Sequence, residues 1–401
     1  MSSGQHAADL ATGLAAAGHE VTVLTGRRAY DRPWVQFSHR EIWKGVEIVR
    51  IVSTGFGKSA RWKRAIDFGS FLVSCAARMC LLPRYDMVVS MTSPPLVSGM
   101  AAAMVAIRGG NLVCWVLDLN PDEAIAAGWL SADSFISGVV KNIVTFGFAT
   151  ARKIIVMDRF MAGRVAAYGV PQEKIEIIPP WSHDATIHYD SEGREAFRHE
   201  NGLDGRFVVM YSGNHSPCHP LETLLEAARR MKNDARIVFC FIGGGSEFAR
   251  VKAYAAGHRL RNILCLPYVA MNRLSASLSA ADLHTVVMGE PYVGIVHTCK
   301  VYNVLALGIP FLYIGPEHSH ITDLAMDSAS PGWMTRAEHG DVDTVVQAIT
   351  GAACSDLSVP RVAEQAIARR FSQESLMPLM FDALEAGEGL PRSHGGAPVA
   401  K

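Results

Sequence analysis

Three short stretches of this chain combine glycines, a helix start and polar or cationic side chains, the combination that can hold a phosphate. Gly243-Gly244-Gly245-Ser246-Glu247 follows an apolar run at 236–242 and opens a helix. Glycines let backbone approach an anion, and the unpaired N–H groups of a helix start favour negative charge. The same five residues also make an ordinary tight strand-to-helix turn. His297-Thr298-Cys299-Lys300 stands before a helix expected over 300–307. A cation there opposes the helix dipole, so an anionic partner is attractive; a solvated lysine is the plain alternative. His297 is either a phosphate donor or a loop histidine. In the third stretch, 213–219, Gly213 leaves a strand and both Asn214 and His219 can donate hydrogen bonds to phosphate or sugar. His215, Cys218 and His219 lie close enough in sequence to raise a metal site, but their spacing matches no standard zinc pattern.

Two carboxylates end the apolar run 112–117, in Asp118-Leu119-Asn120-Pro121-Asp122. Open α/β sheets place ligands at the carboxyl ends of their strands, so Asp118 is a candidate for orienting an acceptor group. Asp122 is read as a cap on the next helix. Lys58, Arg61, Trp62, Lys63 and Arg64 form a short basic stretch with one aromatic. It is either a solvated face or a contact for anionic lipid headgroups.

The elements that must position these groups alternate along the whole chain. Strands are expected at 20–25, 46–52, 87–90, 112–117, 153–157 and 174–178, with helices at 5–18 and 134–149. The rhythm restarts with strands at 207–212, 236–242, 263–266, 283–287 and 310–314, a helix at 220–231 and a last helix at 372–385. Strands alternating with helices imply parallel sheets with right-handed crossovers. The fold class is therefore α/β, with two Rossmann-like doubly wound domains facing a cleft. The expected division is 1–182 for the first domain, 183–204 as a linker, 205–370 for the second, 371–386 as a helix crossing the junction, and 387–401 as a disordered tail. The first domain starts at a helix entrance, Ser2-Ser3-Gly4-Gln5-His6, where such a domain usually opens on a strand and a glycine turn. A first strand is thus expected to be missing from it.

A length of 401 residues favours two domains, and 49% hydrophobic content with 19% charged residues fits a large buried sheet. Lys+Arg and Asp+Glu both number 38, so nothing points to a nucleic-acid partner. The first domain carries the positive excess, which places any anionic acceptor or membrane surface there. Eight cysteines stand singly without a C-x-x-C pair, which suggests a reduced, cytoplasmic setting. No signal peptide is visible, and the longest apolar runs are too short to span a bilayer.

Residues spread over nearly the whole chain resemble a known family. Gly18-His19-Glu20-Val21-Thr22-Val23, Ile177-Ile178-Pro179, Tyr211-Ser212-Gly213-Asn214, the 243–247 loop, Leu266-Pro267-Tyr268 and Lys300-Val301-Tyr302-Asn303 ahead of Ala306-Leu307-Gly308-Ile309-Pro310 resemble the family 4 retaining glycosyltransferases of GT-B fold. Thr92-Ser93-Pro94-Pro95 and the 118–122 motif are similar to the branch that builds surface polysaccharides and lipid-linked saccharides. The resemblance implies a nucleoside-diphosphate sugar as co-substrate, no other cofactor, no obligatory metal and retention at the anomeric carbon. It implies Asp118 and Lys300 as catalytic residues. It implies donor contacts from Gly213, Asn214, His219, Gly243, Gly244, Gly245, Ser246, Glu247, Gly294, His297, Thr298 and Asn303, with Tyr268 near the nucleobase. The chain departs from the family where Asn214 and His219 replace a common Arg and Lys. Ile295 and Asn303 likewise replace two glutamates, with Glu290 a few residues earlier.

The chemistry so implied is stabilisation of a departing diphosphate while an oxocarbenium-like sugar meets a hydroxyl. The expected enzyme is a glycosyltransferase extending a lipid-linked or polysaccharide acceptor in the cell envelope, cytoplasmic and peripheral on the inner membrane face. A sugar-nucleotide epimerase on the same scaffold, or a non-catalytic sugar-nucleotide-binding relic, are the alternatives.

Overall fold

The computed structural model describes residues 3–28, 34–56, 61–92, 95–182, 187–326, 333–355 and 367–385. Ser93 and Pro94, Lys58, the side chains of Arg61 and Arg64, and the tail 387–401 lie outside the described residues.

The second domain is a six-stranded parallel sheet in the order β10-β9-β8-β11-β12-β13. Its strands are β8 (Phe207–Asn214), β9 (Ile237–Gly244), β10 (Ile263–Leu266), β11 (Leu283–Val287), β12 (Phe311–Ile314) and β13 (Met334–Ala337). β9 is buried from Ile237 to Gly243, as its unbroken apolar run dictates for a strand covered on both faces. Helices α8 (Glu222–Arg230), α9 (Phe248–Gly257), α11 (Lys300–Leu307), α12 (His320–Met326) and α13 (Val342–Cys354) wrap the sheet.

The stretch 183–204, read as a linker, contains helix α7 (Ser191–Glu200), which is part of this domain. Asp282 accepts hydrogen bonds from Arg194, from Arg198 at 3.0 Å and from the Val208 amide at 2.7 Å, which anchors α7 to the start of β8. The last helix, Gln373–Glu385, returns to the first domain, where Phe381 abuts Gly13 of α1 (Ser3–Ala16).

The first domain holds two smaller sheets. One is β1-β3-β2, from β1 (Thr22–Gly26), β2 (Arg40–Trp43) and β3 (Val46–Ile51); the other is β4-β5-β6-β7, from β4 (Met87–Met91), β5 (Asn111–Trp115), β6 (Lys153–Val156) and β7 (Ile175–Ile177). β2 pairs antiparallel with β3 across the tight Lys44-Gly45 turn, an element absent from the sequence-based expectation. Its exposed residues carry no strong alternation to reveal it. Helices α2 (Arg61–Met79), α3 (Val97–Arg108), α4 (Asp122–Ala126), α5 (Phe135–Thr150) and α6 (Arg159–Ala166) complete the domain. Two of them start on side-chain caps: Ser134 accepts from the Ser137 amide at 3.2 Å, and Asp158 from the Met161 amide at 2.8 Å.

β1 and β4 are sheet edges that are not hydrogen-bonded to each other, and no described strand joins them. Both are correspondingly less buried than the central strands of the second domain. Native-state hydrogen exchange is therefore expected to reach the amides of β1 and β4 on the order of tenfold faster than those of β9. Equal protection would show the two edges to be covered.

Candidate active site

The glycine turns sit side by side because β8 and β9 are paired in register to their ends, Gly213 against Gly243 and Asn214 against Gly244. Gly243 has φ 136°, and a Cβ there would lie 2.0 Å from the Gly213 carbonyl oxygen. At Gly245 (φ 125°) a Cβ would lie 2.2 Å from the His215 carbonyl oxygen. Only glycine permits this approach of two strand ends. Tyr268 lies over the turn, its ring 3.0 Å from where a Gly244 Cβ would be, yet it stays 61% exposed. Ser246 is exposed at the tip of the loop. The helix-start amides are less available than expected. The Glu247 amide donates to His215 at 3.1 Å and that of Phe248 to Gly245 at 3.4 Å, while the Glu247 carboxylate pairs with Arg250 at 3.5 Å.

Lys300 opens α11 and reaches into the same corner. Its ammonium donates to the Tyr211 hydroxyl at 2.5 Å and stands 3.9 Å from the centre of the Tyr211 ring. A Gly213 Cβ would be 3.6 Å from its Nζ. Burial brings its pKa down to about 7, and no carboxylate contributes to holding its charge. A half-buried cation without an anion is costly, so the corner is electrostatically incomplete. Tyr211, the platform under the lysine, was not recognisable in the sequence because it reads as a core aromatic within β8.

The neighbouring histidines are neutral. Burial, then the charge of Lys300, holds His215 down at about 4 and His219 well below the usual histidine range. His219 Nδ1 donates to the Val287 carbonyl at 2.7 Å, which leaves Nε2 as an acceptor. The expectation that His219 donates to a phosphate is corrected: it can accept from a sugar hydroxyl but offers no proton. His215 Nδ1 donates to the Gly213 carbonyl at 3.1 Å, and its ring is enclosed by Tyr211 and Phe248. The ligand atoms of His215, Cys218 and His219 do not converge. Asn214 is exposed on the strand end, with its carbonyl accepting from the Tyr211 hydroxyl at 2.8 Å.

Three further expected donor contacts face elsewhere. Gly294 (φ 71°) is packed against the first domain, where a Cβ would lie 2.6 Å from the Phe160 carbonyl oxygen. Both ring nitrogens of buried His297 are occupied, by Asp158 at 2.7 Å and the Tyr302 hydroxyl at 2.8 Å, so it has none for a phosphate. The Thr298 amide donates to His320 at 3.2 Å. The Thr298 hydroxyl and the Asn303 amide oxygen, by contrast, are buried without a hydrogen-bond partner, and Asn303 lies one turn beyond Lys300.

From the first domain, Asp118 follows β5 and bridges by its backbone to Val296. Burial, then the charge of Glu123, pushes its carboxyl up to about 7. Burial also raises Glu123, whose carboxylate lies 3.9 Å from the Cys218 thiol of the second domain. Asp118 is felt by the Cys299 thiol beside Lys300 and by Cys218, so the two carboxylates and the lysine share one cleft. Glu123 was passed over in the sequence because Pro121 and Asp122 made the segment look like a helix cap. Asp122 is no cap: it is the first residue of α4 and accepts from the Tyr168 hydroxyl.

Two α/β domains facing a cleft, with the Lys300 cation among glycine turns at the carboxyl ends of the strands, define a class. The chain is a glycosyltransferase of GT-B fold, and residues 3–181 match the family model Glycosyltransferase Family 4. The chain is 24% identical over 387 residues to the putative colanic acid biosynthesis glycosyl transferase WcaI of Escherichia coli K12, covering 93% of this chain and 92% of that protein. Two solved structures share its fold. Sucrose-phosphate synthase of Thermosynechococcus elongatus aligns with a TM-score of 0.74 and 14% identity, over 95% of this chain and 92% of that one. HepE of Anabaena in complex with UDP-glucose aligns with a TM-score of 0.65 and 13% identity, over 84% and 86%.

With its pKa at about 7, Lys300 is charged below that pH and largely neutral above it. Calorimetric affinity for a nucleoside diphosphate is therefore expected to fall as the pH rises through about 7, and Lys300→Arg to flatten that profile. At about pH 6, Lys300→Ala is expected to weaken binding by on the order of tenfold to a hundredfold. Affinity independent of both pH and Lys300 would contradict this assignment.

Proposed function

We propose that the enzyme transfers a sugar, with retention, from a nucleoside-diphosphate sugar to a lipid-linked or polysaccharide acceptor in cell-surface glycan synthesis. The carrying observation is the uncompensated Lys300 ammonium beside the Gly213 and Gly243 turns, a corner that lacks an anion. A diphosphate supplies that charge, and most strongly as the glycosidic bond breaks and its own charge grows. Asp118, on the opposite wall, orients the acceptor hydroxyl. The acceptor oxygen bonds to the anomeric carbon on the face that the diphosphate leaves; the bond from that carbon to the phosphate oxygen breaks with its electron pair going to the diphosphate, and a diphosphate oxygen takes the hydroxyl proton. The resemblance to a colanic acid transferase and the UDP-glucose in the complex of a structural neighbour support the surface-glycan acceptor and the donor class.

A peripheral position on the inner membrane face is part of the same proposal. No described helix is long and apolar enough to cross a membrane. On the first domain, α5 exposes Phe135 (86%), Ile136, Val139 and Phe146, and α2 exposes Trp62, Ile66 and Val73. Exposed apolar residues of this kind on amphipathic helices, with basic residues beside them at the start of α2, suit an interfacial contact.

The test is incubation with UDP-, GDP- and dTDP-sugars, with and without polyprenyl-linked acceptor. Nucleotide release that requires acceptor, and a product whose anomeric configuration by NMR matches the donor, are the expected results. Interconversion of the donor sugar without acceptor would establish an epimerase instead. Asp118→Asn is expected to lower kcat by on the order of a hundredfold while leaving donor KM within about twofold, the pattern for a group acting on the acceptor. Association with anionic vesicles is expected to weaken when Phe135 and Phe146 are replaced by Ser, as read by flotation.

A further inference from the structure

Outside the donor cleft, a buried polar network crosses from the first domain to the segment leading into Lys300. Asp158 caps α6 with one carboxylate oxygen, accepting from the Met161 amide at 2.8 Å. Its other oxygen accepts from His297 Nδ1 at 2.7 Å and lies 3.8 Å from His320 Nδ1. The two imidazoles stack with their centres 3.8 Å apart. His297 Nε2 meets the Tyr302 hydroxyl at 2.8 Å, and the Thr298 amide donates to His320 Nε2 at 3.2 Å. All four side chains, Asp158, His297, Tyr302 and His320, are buried. Burial alone would raise Asp158, but the His297 hydrogen bond and the two imidazoles hold it well below the usual carboxylate range.

The ligand atoms of Asp158, His297 and His320 lie within 4.8 Å of one another, close enough to hold a metal ion. The hydrogen-bond directions speak for a proton network instead. His320 Nε2 accepts an amide proton, so the proton of the neutral ring sits on Nδ1, the atom that would have to face the ion. The first domain grips the same segment at other points. The Leu119 amide donates to the Ile295 carbonyl at 2.9 Å, Asp118 bridges Val296, and Gly294 is pressed against Phe160. Arg159, next to Asp158, makes two hydrogen bonds to Asp323 of α12 at 2.6 and 2.9 Å. Residues 294–298 are therefore shaped by the opposite domain, while Lys300 two residues later is the donor-side cation.

We propose that Asp158 is a positioning residue for the donor site: through His297 it fixes the 294–299 segment and hence the Lys300 ammonium, so that the diphosphate grip is complete only with the two domains together. Without the carboxylate, His297 Nδ1–H is a buried donor lacking an acceptor, and the segment relaxes toward water to satisfy it. The inference rests on Lys300 as the diphosphate ligand.

The test uses the full chain, with Asp158→Asn, which keeps an oxygen for the Met161 amide, and His297→Phe, which keeps a ring to stack on His320. Hydrogen exchange without ligand is followed in peptides covering 158–168, 236–257 and 293–307, and affinities for UDP and GDP are measured by calorimetry. Both variants are expected to raise exchange in 293–307 about tenfold, leave 236–257 unchanged, and weaken the preferred nucleotide about tenfold. On a Lys300→Ala background, Asp158→Asn is expected to cost no further affinity. Exchange altered only in 158–168, or an affinity loss from Asp158→Asn that is the same with and without Lys300, would overturn the proposal. If Lys300→Ala binds both nucleotides like the parent, the donor reading fails, and exchange in 293–307 alone decides the positioning role. Should Asp158→Asn not fold, His297→Phe and Tyr302→Phe carry the same comparison.

Discussion

The cleft is organised around one unbalanced charge. Lys300 stands at the amino end of α11, where the helix dipole opposes it, and rests on the face of Tyr211 rather than on a carboxylate. The folded chain thus tolerates a cation in a poor place, and the cost is lowest when an anion arrives. The surrounding features follow from that requirement. Gly213 and Gly243 keep the floor of the corner free of side chains, and the two nearby histidines are neutral and add no repulsion. The acidic groups that would otherwise quench Lys300, Asp118 and Glu123, sit on the far wall, and burial raises the pKa of both.

The division of labour between the domains is visible in their sheets. The second domain has one continuous parallel sheet, and its central strands end in the glycine turns, so the donor corner inherits the rigidity of the core. The first domain is built from two shorter sheets and exposes more apolar surface on its outer helices.

Much of this was legible in the residues. The strands at 263–266 and 283–287 and the helix at 300–307 appear at their expected bounds, because apolar runs bounded by Gly and Pro leave little choice. The glycine turns and Lys300 stand out in the sequence because each is a local feature: a few backbone groups or one side chain at a strand end or helix start. What sequence could not supply was orientation across the domains. His297 and Gly294 looked like donor contacts since they precede Lys300, but the first domain claims them, through Asp158 and Phe160, which are more than a hundred residues away. His219 lies beside Lys300, yet its tautomer depends on the Val287 carbonyl, and that contact exists only once β8 and β11 are paired. Tyr211 and Glu123 were hidden for a related reason: one resembles core packing and the other a helix start until the cleft closes around them.

The backbone bridge between Asp118 and Val296 ties the carboxylate wall of the first domain to the segment that leads into Lys300. Replacements along that bridge disturb both partners of the reaction together, so it is poor ground for acquiring a new preference. Diversification is left to side chains standing clear of the bridge, such as Asn214 and Tyr268, where an exchange can alter what is held without shifting how the halves meet. Exchanges at the rim of the cleft then leave the junction of the two domains as it is.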